Sequence, residues 1–176
     1  MNKYILIGVL ASVSLSLRAE QVCSSTAPAS APIESFTMFD NGQTLDLSTN
    51  LMWMRCALGQ TWADGICSGE AEPYTWKQAL ELSVGYSFNA STSWRLPNVK
   101  ELSSITERSC TRPSINIEIF PATPPDDFWT STPSRTDSQR AWVIAFFNSS
   151  NSIKEKNRAV FVRLVRTSLP AEREGN

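Results

Sequence analysis

Apolar and polar positions along this chain predict short strands in the first third, two brief helices in the middle and further strands near the end. Phe36-Thr37-Met38-Phe39 reads as a strand, and Asp40-Asn41-Gly42 as the turn after it, because Asn-Gly accepts positive φ. Thr44 to Leu47 is its partner. Ser48-Thr49-Asn50 turns the chain into Leu51-Met52-Trp53-Met54-Arg55, whose lack of polar alternation marks a central strand. Cys56 to Pro73 reads as a loop punctuated by Gly59, Gly65 and Gly69. Thr75 is a good N-cap for a helix from Trp76 to about Val84, with Trp76, Ala79, Leu80 and Ser83 on one face and Gly85 ending it.

The stretch from Trp94 to Leu102 organises the middle of the chain. Pro97 disfavours helix at Leu96, so Trp94 to Leu96 is expected to be extended. Asn98 is an N-cap with Glu101 three residues on, the spacing of a capping box. Val99, Leu102 and Ile105 then share a helical face, and the helix is expected to end near Arg108. Residues 111–127, with Pro113, Pro121, Pro124 and Pro125, read as a long ordered loop. Phe128 to Thr132 is a short strand, Ala141 to Phe147 an interior one, Asn148 to Asn157 a polar turn, and Val160 to Arg166 the closing strand. The mixture is that of an α+β domain. Residues 20–35, rich in Ser, Ala and Pro, read as a flexible arm anchored at Cys23. Residues 36–166 form the domain, and residues 167–176 a frayed tail.

Residues 1–19 have the pattern of a signal peptide: Lys3, an apolar run from Ile5 to Leu17, and Ala19 before a plausible cut. That run is too short for a bilayer-spanning helix of roughly 20 residues. The expectation is a chain exported to the periplasm, cell surface or medium, with no membrane span after cleavage. Removing Lys3 and Arg18 leaves 14 basic and 17 acidic residues, a net charge of about −3. An acidic balance argues against a nucleic-acid binder.

Cys23, Cys56, Cys67 and Cys110 all follow the proposed cut, and an even set in an exported chain favours two disulfides. Three connectivities are possible. The favoured one joins Cys56 to Cys67 across a short loop and Cys23 to Cys110. Zinc fits poorly, since the spacings are wrong and the chain has no histidine. Without histidine, the commonest general base and any Ser-His or Cys-His nucleophile pair are excluded. Asp126-Asp127, after Pro124-Pro125, reads as a turn into Phe128 in preference to a calcium or catalytic pair. The expectation is therefore of no enzyme activity, no metal and no cofactor.

Two groups of side chains stand out. Trp94, Arg95, Pro97, Glu101 and Arg163 are assigned structural roles, with Arg95 or Arg163 expected to form a buried ion pair with Asp46 or Glu101. Arg135, Arg140, Lys154, Lys156 and Arg158 are ligand-binding candidates that two neighbouring turns could gather into a basic patch. Trp62 and Trp129, as exposed rings, are candidates for stacking on sugars.

Several of these segments resemble the C-terminal domain family of the Legionella collagen-like protein. The opening motif runs through Asp46, Leu51-Met52-Trp53, Arg55-Cys56, Gly59, Trp62, Cys67 and Gly69. Tyr74-Thr75-Trp76 with Ala79-Leu80, Trp94 to Leu102, Phe120-Pro121, Phe128-Trp129, Ala141-Trp142 and Val162 to Arg166 follow in the family's order. Asn50 departs from it, standing where glycine is usual, but asparagine tolerates the same left-handed conformation. The resemblance implies a C-type-lectin-like fold, a mixed antiparallel sheet with two helices, which formylglycine-generating enzymes also use. Their copper-binding cysteine pair lies late in the chain, whereas no cysteine follows Cys110 here, so that activity does not carry over. The calcium-dependent sugar tripeptides of true C-type lectins are also absent. Family members include an adhesin for sulfated polysaccharides, which gives the basic patch its interest. The expected function is recognition of a carbohydrate or an envelope protein, with a structural or assembly role in a surface complex as the alternative.

Overall fold

A computed structural model describes residues 20–174 of the 176-residue chain. The proposed signal peptide lies outside the described residues. Four sheets carry the fold. Strand β1 (Val22–Cys23) lies in the N-terminal arm, followed by β2 (Phe36–Met38), β3 (Gln43–Asp46) and β4 (Leu51–Met54). A hairpin of β5 (Thr61–Ala63) and β6 (Ile66–Ser68) precedes helix α1 (Trp76–Ser83). Helix α2 (Val99–Ser104) leads to β7 (Cys110–Thr111), β8 (Asp127–Pro133), β9 (Arg140–Ala145) and β10 (Ser150–Glu155), and the chain closes with β11 (Val165–Thr167) and α3 (Pro170–Glu174). A four-stranded sheet has the order β11-β4-β3-β2 and a three-stranded sheet the order β10-β9-β8, while β1-β7 and β5-β6 are two-stranded ribbons; all pairings are antiparallel.

The central position expected of Leu51 to Met54 follows from its burial on both faces. Trp53 packs in one core with Leu102, Phe120, Phe128 and Phe146, while Met52 and Met54 pack in a second with Trp94, Trp129 and Val162. Both capping predictions hold in detail. The Thr75 side chain accepts from the Gln78 backbone, and Asn98 from those of Lys100 and Glu101, with the return half of each box made. Asn50 has φ 56°, the left-handed conformation that glycine would otherwise supply.

Differences arise where distant partners intervene. Helix α2 stops at Ser104, four residues before Arg108, because the Thr106 hydroxyl turns back to the Ser103 carbonyl and competes with the helix. Residues 148–157 hold a strand as well as a turn. Ser150 to Glu155 pair with Ala145 to Arg140 in a backbone ladder that carries the Arg140–Glu155 ion pair, so the edge needs no apolar alternation. The ladder expected over Val160–Arg166 is confined to Val165–Thr167. Val160 and Phe161 instead bridge singly to Tyr74 and Phe128 as the chain crosses between sheets.

Neither terminus of the described chain matches the loose arm and frayed tail that were expected. In the arm, β1 pairs with β7, Ala31 is buried, and the backbone N–H groups of Ser30 and Ala31 donate to the Glu107 carboxylate. In the tail, Arg166 holds α3 through two hydrogen bonds to Glu172. Low apolar content concealed both, because these attachments are polar.

Candidate functional site

The strand-to-helix corner is closed by an ion pair. Arg95 donates to both Glu101 oxygens, at 2.8 and 2.7 Å, and Glu101 also accepts the Asn98 N–H at 2.8 Å. The hydrogen bond to Glu101 raises the Arg95 pKa against the opposing effect of burial. Burial pushes the Glu101 carboxyl up, but Arg95 and the Asn98 N–H together bring it below its ordinary value. The ion pair is partly exposed, 42% at Arg95 and 18% at Glu101, so the expected buried pair forms at a half-open corner. Among the described residues Asp46 pairs with no arginine; it caps the Ser48–Thr49 turn.

Arg163 is wholly buried without an acid. Its guanidinium donates to the carbonyls of Met54 and Arg55 and to the Thr123 hydroxyl, and it lies over the Phe120 ring at 4.8 Å. Burial lowers its pKa to about 9, which still leaves it charged at neutral pH. Of the two arginines expected to offer an ion pair, Arg95 makes it, and Arg163 is instead solvated by carbonyl dipoles, a hydroxyl and an aromatic face.

The basic candidates do not converge into one patch. Arg140 pairs with Asp137 and Glu155, each at 3.3 Å, and Lys154 with Asp127 at 3.0 Å. Lys156 donates to the Ser138 carbonyl and lies 4.2 Å from the centre of the Trp76 ring. Arg135 and Arg158 are exposed and form no ion pair among the described residues. Two of the five meet: Lys154 and Arg158 share a polar pocket of about 270 Å³ with Asp126 and Asp127. Trp129 is completely buried, and its indole N–H donates to the Tyr74 carbonyl, so it offers no stacking face. Trp62 is half-buried. Arg55 covers its ring at 4.2 Å, and its indole N–H donates to the Asp40 carbonyl.

A second, wider concavity was not foreseen as a site. It is an open groove of about 910 Å³, with Pro113, Pro121, Pro124 and Pro125 in its walls and Phe161 shared with the polar pocket. Five separate segments build it: Glu20-Gln21, Gln60, Gly69 to Ala71, residues 112–125, and Phe161. Polar side chains hold the proline loop in place. Gln21 donates to the carbonyls of Pro113 and Ile115, Gln60 to that of Ala122, and Arg55 to those of Glu118 and Ile119. Both disulfides stand behind the walls. Cys23–Cys110 ties the arm beside Arg112-Pro113, and Cys56–Cys67 ties the segment leading to Gly69. Four prolines and Phe120-Pro121 gave the one visible sign of this loop in the sequence. Among the described residues, no three His, Cys, Asp or Glu side chains gather as a metal site, and no helix is long and apolar enough to cross a membrane.

These features define a class: a disulfide-bonded α+β domain whose surface concavities are framed by ordered loops. Within that class the chain belongs to the Lcl C-terminal domain family, whose model matches residues 42–166. No curated protein matches the chain. Both disulfides are as favoured from the sequence, and they mark an oxidising, exported location.

Proposed function

We propose that this is a non-catalytic binding domain of the bacterial envelope, exported by the signal at residues 1–19 on the lectin-like scaffold that the family resemblance implies. Its partner binds in the groove beside Phe161 and the adjoining pocket. The observation that carries this reading is the groove itself. It is wide, largely apolar and walled by loops that two disulfides and several side-chain hydrogen bonds hold in place. A protein partner fits an apolar, proline-walled surface better than a carbohydrate does, since sugar sites present aromatic faces and convergent polar groups. A subunit held permanently there makes the domain an assembly component, the same surface serving either role.

A second reading, a glycan site in the polar pocket, rests on the unpaired Arg158 beside Lys154. Both are tested with oxidised protein of residues 20–176, on a glycan array with sulfated polysaccharides and on immobilised envelope proteins. Binding lost in Ile117→Asp, a groove substitution, supports the first reading. Salt-sensitive binding to sulfated chains that disappears in Lys154→Ala/Arg158→Ala supports the second. Binding that survives both variants refutes both placements.

A further inference from the structure

The two disulfides differ in what surrounds them. Cys56, Cys67 and Cys110 are buried, and Cys23 is the exposed half-cystine of the four. A thiolate must reach a disulfide sulfur to displace its partner, so access decides which bond exchanges in the folded protein. Cys56–Cys67 gives none without local opening, whereas Cys23 stands open on the arm.

The arm also depends on its bond more than the body does. No residue from 20 to 30 is buried, and residues 25–29 make no hydrogen bond to the body among the described residues. Apart from the disulfide, residues 20–24 are held by the two-residue β1–β7 ribbon and three polar attachments. The Ser24 N–H donates to the Ser109 carbonyl at 2.7 Å, the Gln21 amide to the carbonyls of Pro113 and Ile115, and the Thr111 hydroxyl to that of Val22. A two-stranded ribbon with no apolar face is marginal in water. Ser30 and Ala31 differ, because the Glu107 carboxylate holds both and Ala31 lies in the core. They are the fixed root of the arm. At its other end, Glu20 and Gln21 line the groove.

We propose that Cys23–Cys110 is a thiol-operated catch, whose reduction frees residues 20–29 as a strap hinged at Ser30-Ala31 and removes one wall of the groove. The reductant is a dithiol. Its first thiolate attacks the Cys23 sulfur, the S–S bond breaks, and Cys110 leaves as a thiolate that takes a proton from water. The second thiol then attacks the mixed disulfide, which releases Cys23 as a thiol and leaves the reductant as a disulfide. Two electrons pass to the protein, and reoxidation reverses the step. That the groove is the binding surface rests on the function proposed above, whereas release of the arm stands without it.

The test is native-state reduction of oxidised protein of residues 20–176 with dithiothreitol, quenched at intervals with N-ethylmaleimide and mapped by peptide mass. The expected result is labelling of Cys23 and Cys110 at least roughly tenfold faster than of Cys56 and Cys67. Hydrogen exchange should rise across residues 22–29 as the label appears, with Ala31 still protected and the near-UV circular dichroism of the body retained. Cys23→Ser/Cys110→Ser should exchange like the reduced wild type with no reductant present. Equal labelling of both disulfides, an arm as well protected after reduction as before, or loss of the near-UV signal when Cys23–Cys110 alone is reduced overturns the proposal. None of these readouts uses a groove ligand, so failure of the catch and failure of the groove as a binding surface are told apart.

Discussion

Replacing Glu107 by glutamine tests whether one carboxylate holds the N-terminal arm. Glu107 is 4% exposed. One oxygen accepts the backbone N–H groups of Ser30 and Ser109, at 3.1 and 2.9 Å, and the Ser109 hydroxyl at 2.6 Å; the other accepts the Ala31 N–H at 2.9 Å. Every one of these partners is a donor. A glutamine therefore turns its own NH₂ toward a donor, leaving at least one buried N–H without an acceptor and weakening the remaining bonds by removing the charge. An unsatisfied buried donor costs about 1–3 kcal/mol, and charge-assisted bonds exceed neutral ones by roughly 1 kcal/mol, so the expected loss is about 3 kcal/mol. For a domain of this size that lowers Tm by roughly 6–12 °C. Acidity gives an independent readout. Burial pushes the Glu107 carboxyl up, but the Ser109 hydroxyl and the N–H groups of Ala31, Ser109 and Ser30 outweigh it and hold it below its ordinary value. A depressed carboxyl contributes stability that is fully present above its unfolded pKa and disappears as pH falls through the folded one. The gap between wild type and Glu107→Gln should thus be widest near neutrality and close under acid. Calorimetry across pH, with hydrogen exchange over residues 24–31, measures both effects. Equal melting at pH 7, with unchanged protection of the arm, refutes the reasoning.

Three further outcomes are expected. Gly59→Ala places a Cβ 2.5 Å from the Glu72 backbone nitrogen at φ +92°, whereas Gly65→Ala meets nothing within 4 Å at φ +81°; losses of about 3 and about 1 kcal/mol are expected in chemical denaturation, and equal losses refute the steric assignment. Arg163→Lys keeps the charge but loses the forked donors and the stack on Phe120, so a loss of about 3 kcal/mol is expected; an unchanged midpoint contradicts the account of how that cation is solvated. Glu172→Gln should speed amide exchange across residues 167–172. In the wild type the bond to Arg166 lowers the Glu172 pKa, so the same segment should loosen as pH falls below the carboxylate range, and protection factors (rates corrected for intrinsic exchange at each pH) that stay the same from pH 7 down through that range count against the latch.

How far the sequence revealed these features depends on the range of the interactions. The Trp94–Leu102 corner was legible because its determinants lie within a few residues: Pro97 restrains Leu96, and Asn98 and Glu101 close a box across one turn. Leu51 to Met54 was legible because burial on both faces leaves an unbroken apolar run. Glu107 was not, since its arm partners are 76 and 77 residues away and nothing near it signals a clasp. The basic turn misled for a similar reason. Its cations are interleaved in sequence with Asp137 and Glu155, which take Arg140, and β8 adds the distant Asp127, which takes Lys154. Trp62 and Trp129 look alike along the chain, and packing that the chain alone does not display decides which ring is buried. The groove is the extreme case, being an absence framed by five segments spread along the chain.

The register of β1 against β7 sets Cys23 directly opposite Cys110, across 87 residues of chain. Cys56 and Cys67 need no such alignment, because Cys67 lies in the β5–β6 hairpin that folds back toward the residues just after Cys56. Closing 11 residues costs less chain entropy than closing 87, so from an unfolded chain Cys56 and Cys67 are the pair that meets more readily. Once they are joined, Cys23 and Cys110 are the two thiols that remain of the chain's four, and the β1–β7 ladder sets them in line. The arm is thereby tied to the one place on the body that can receive it.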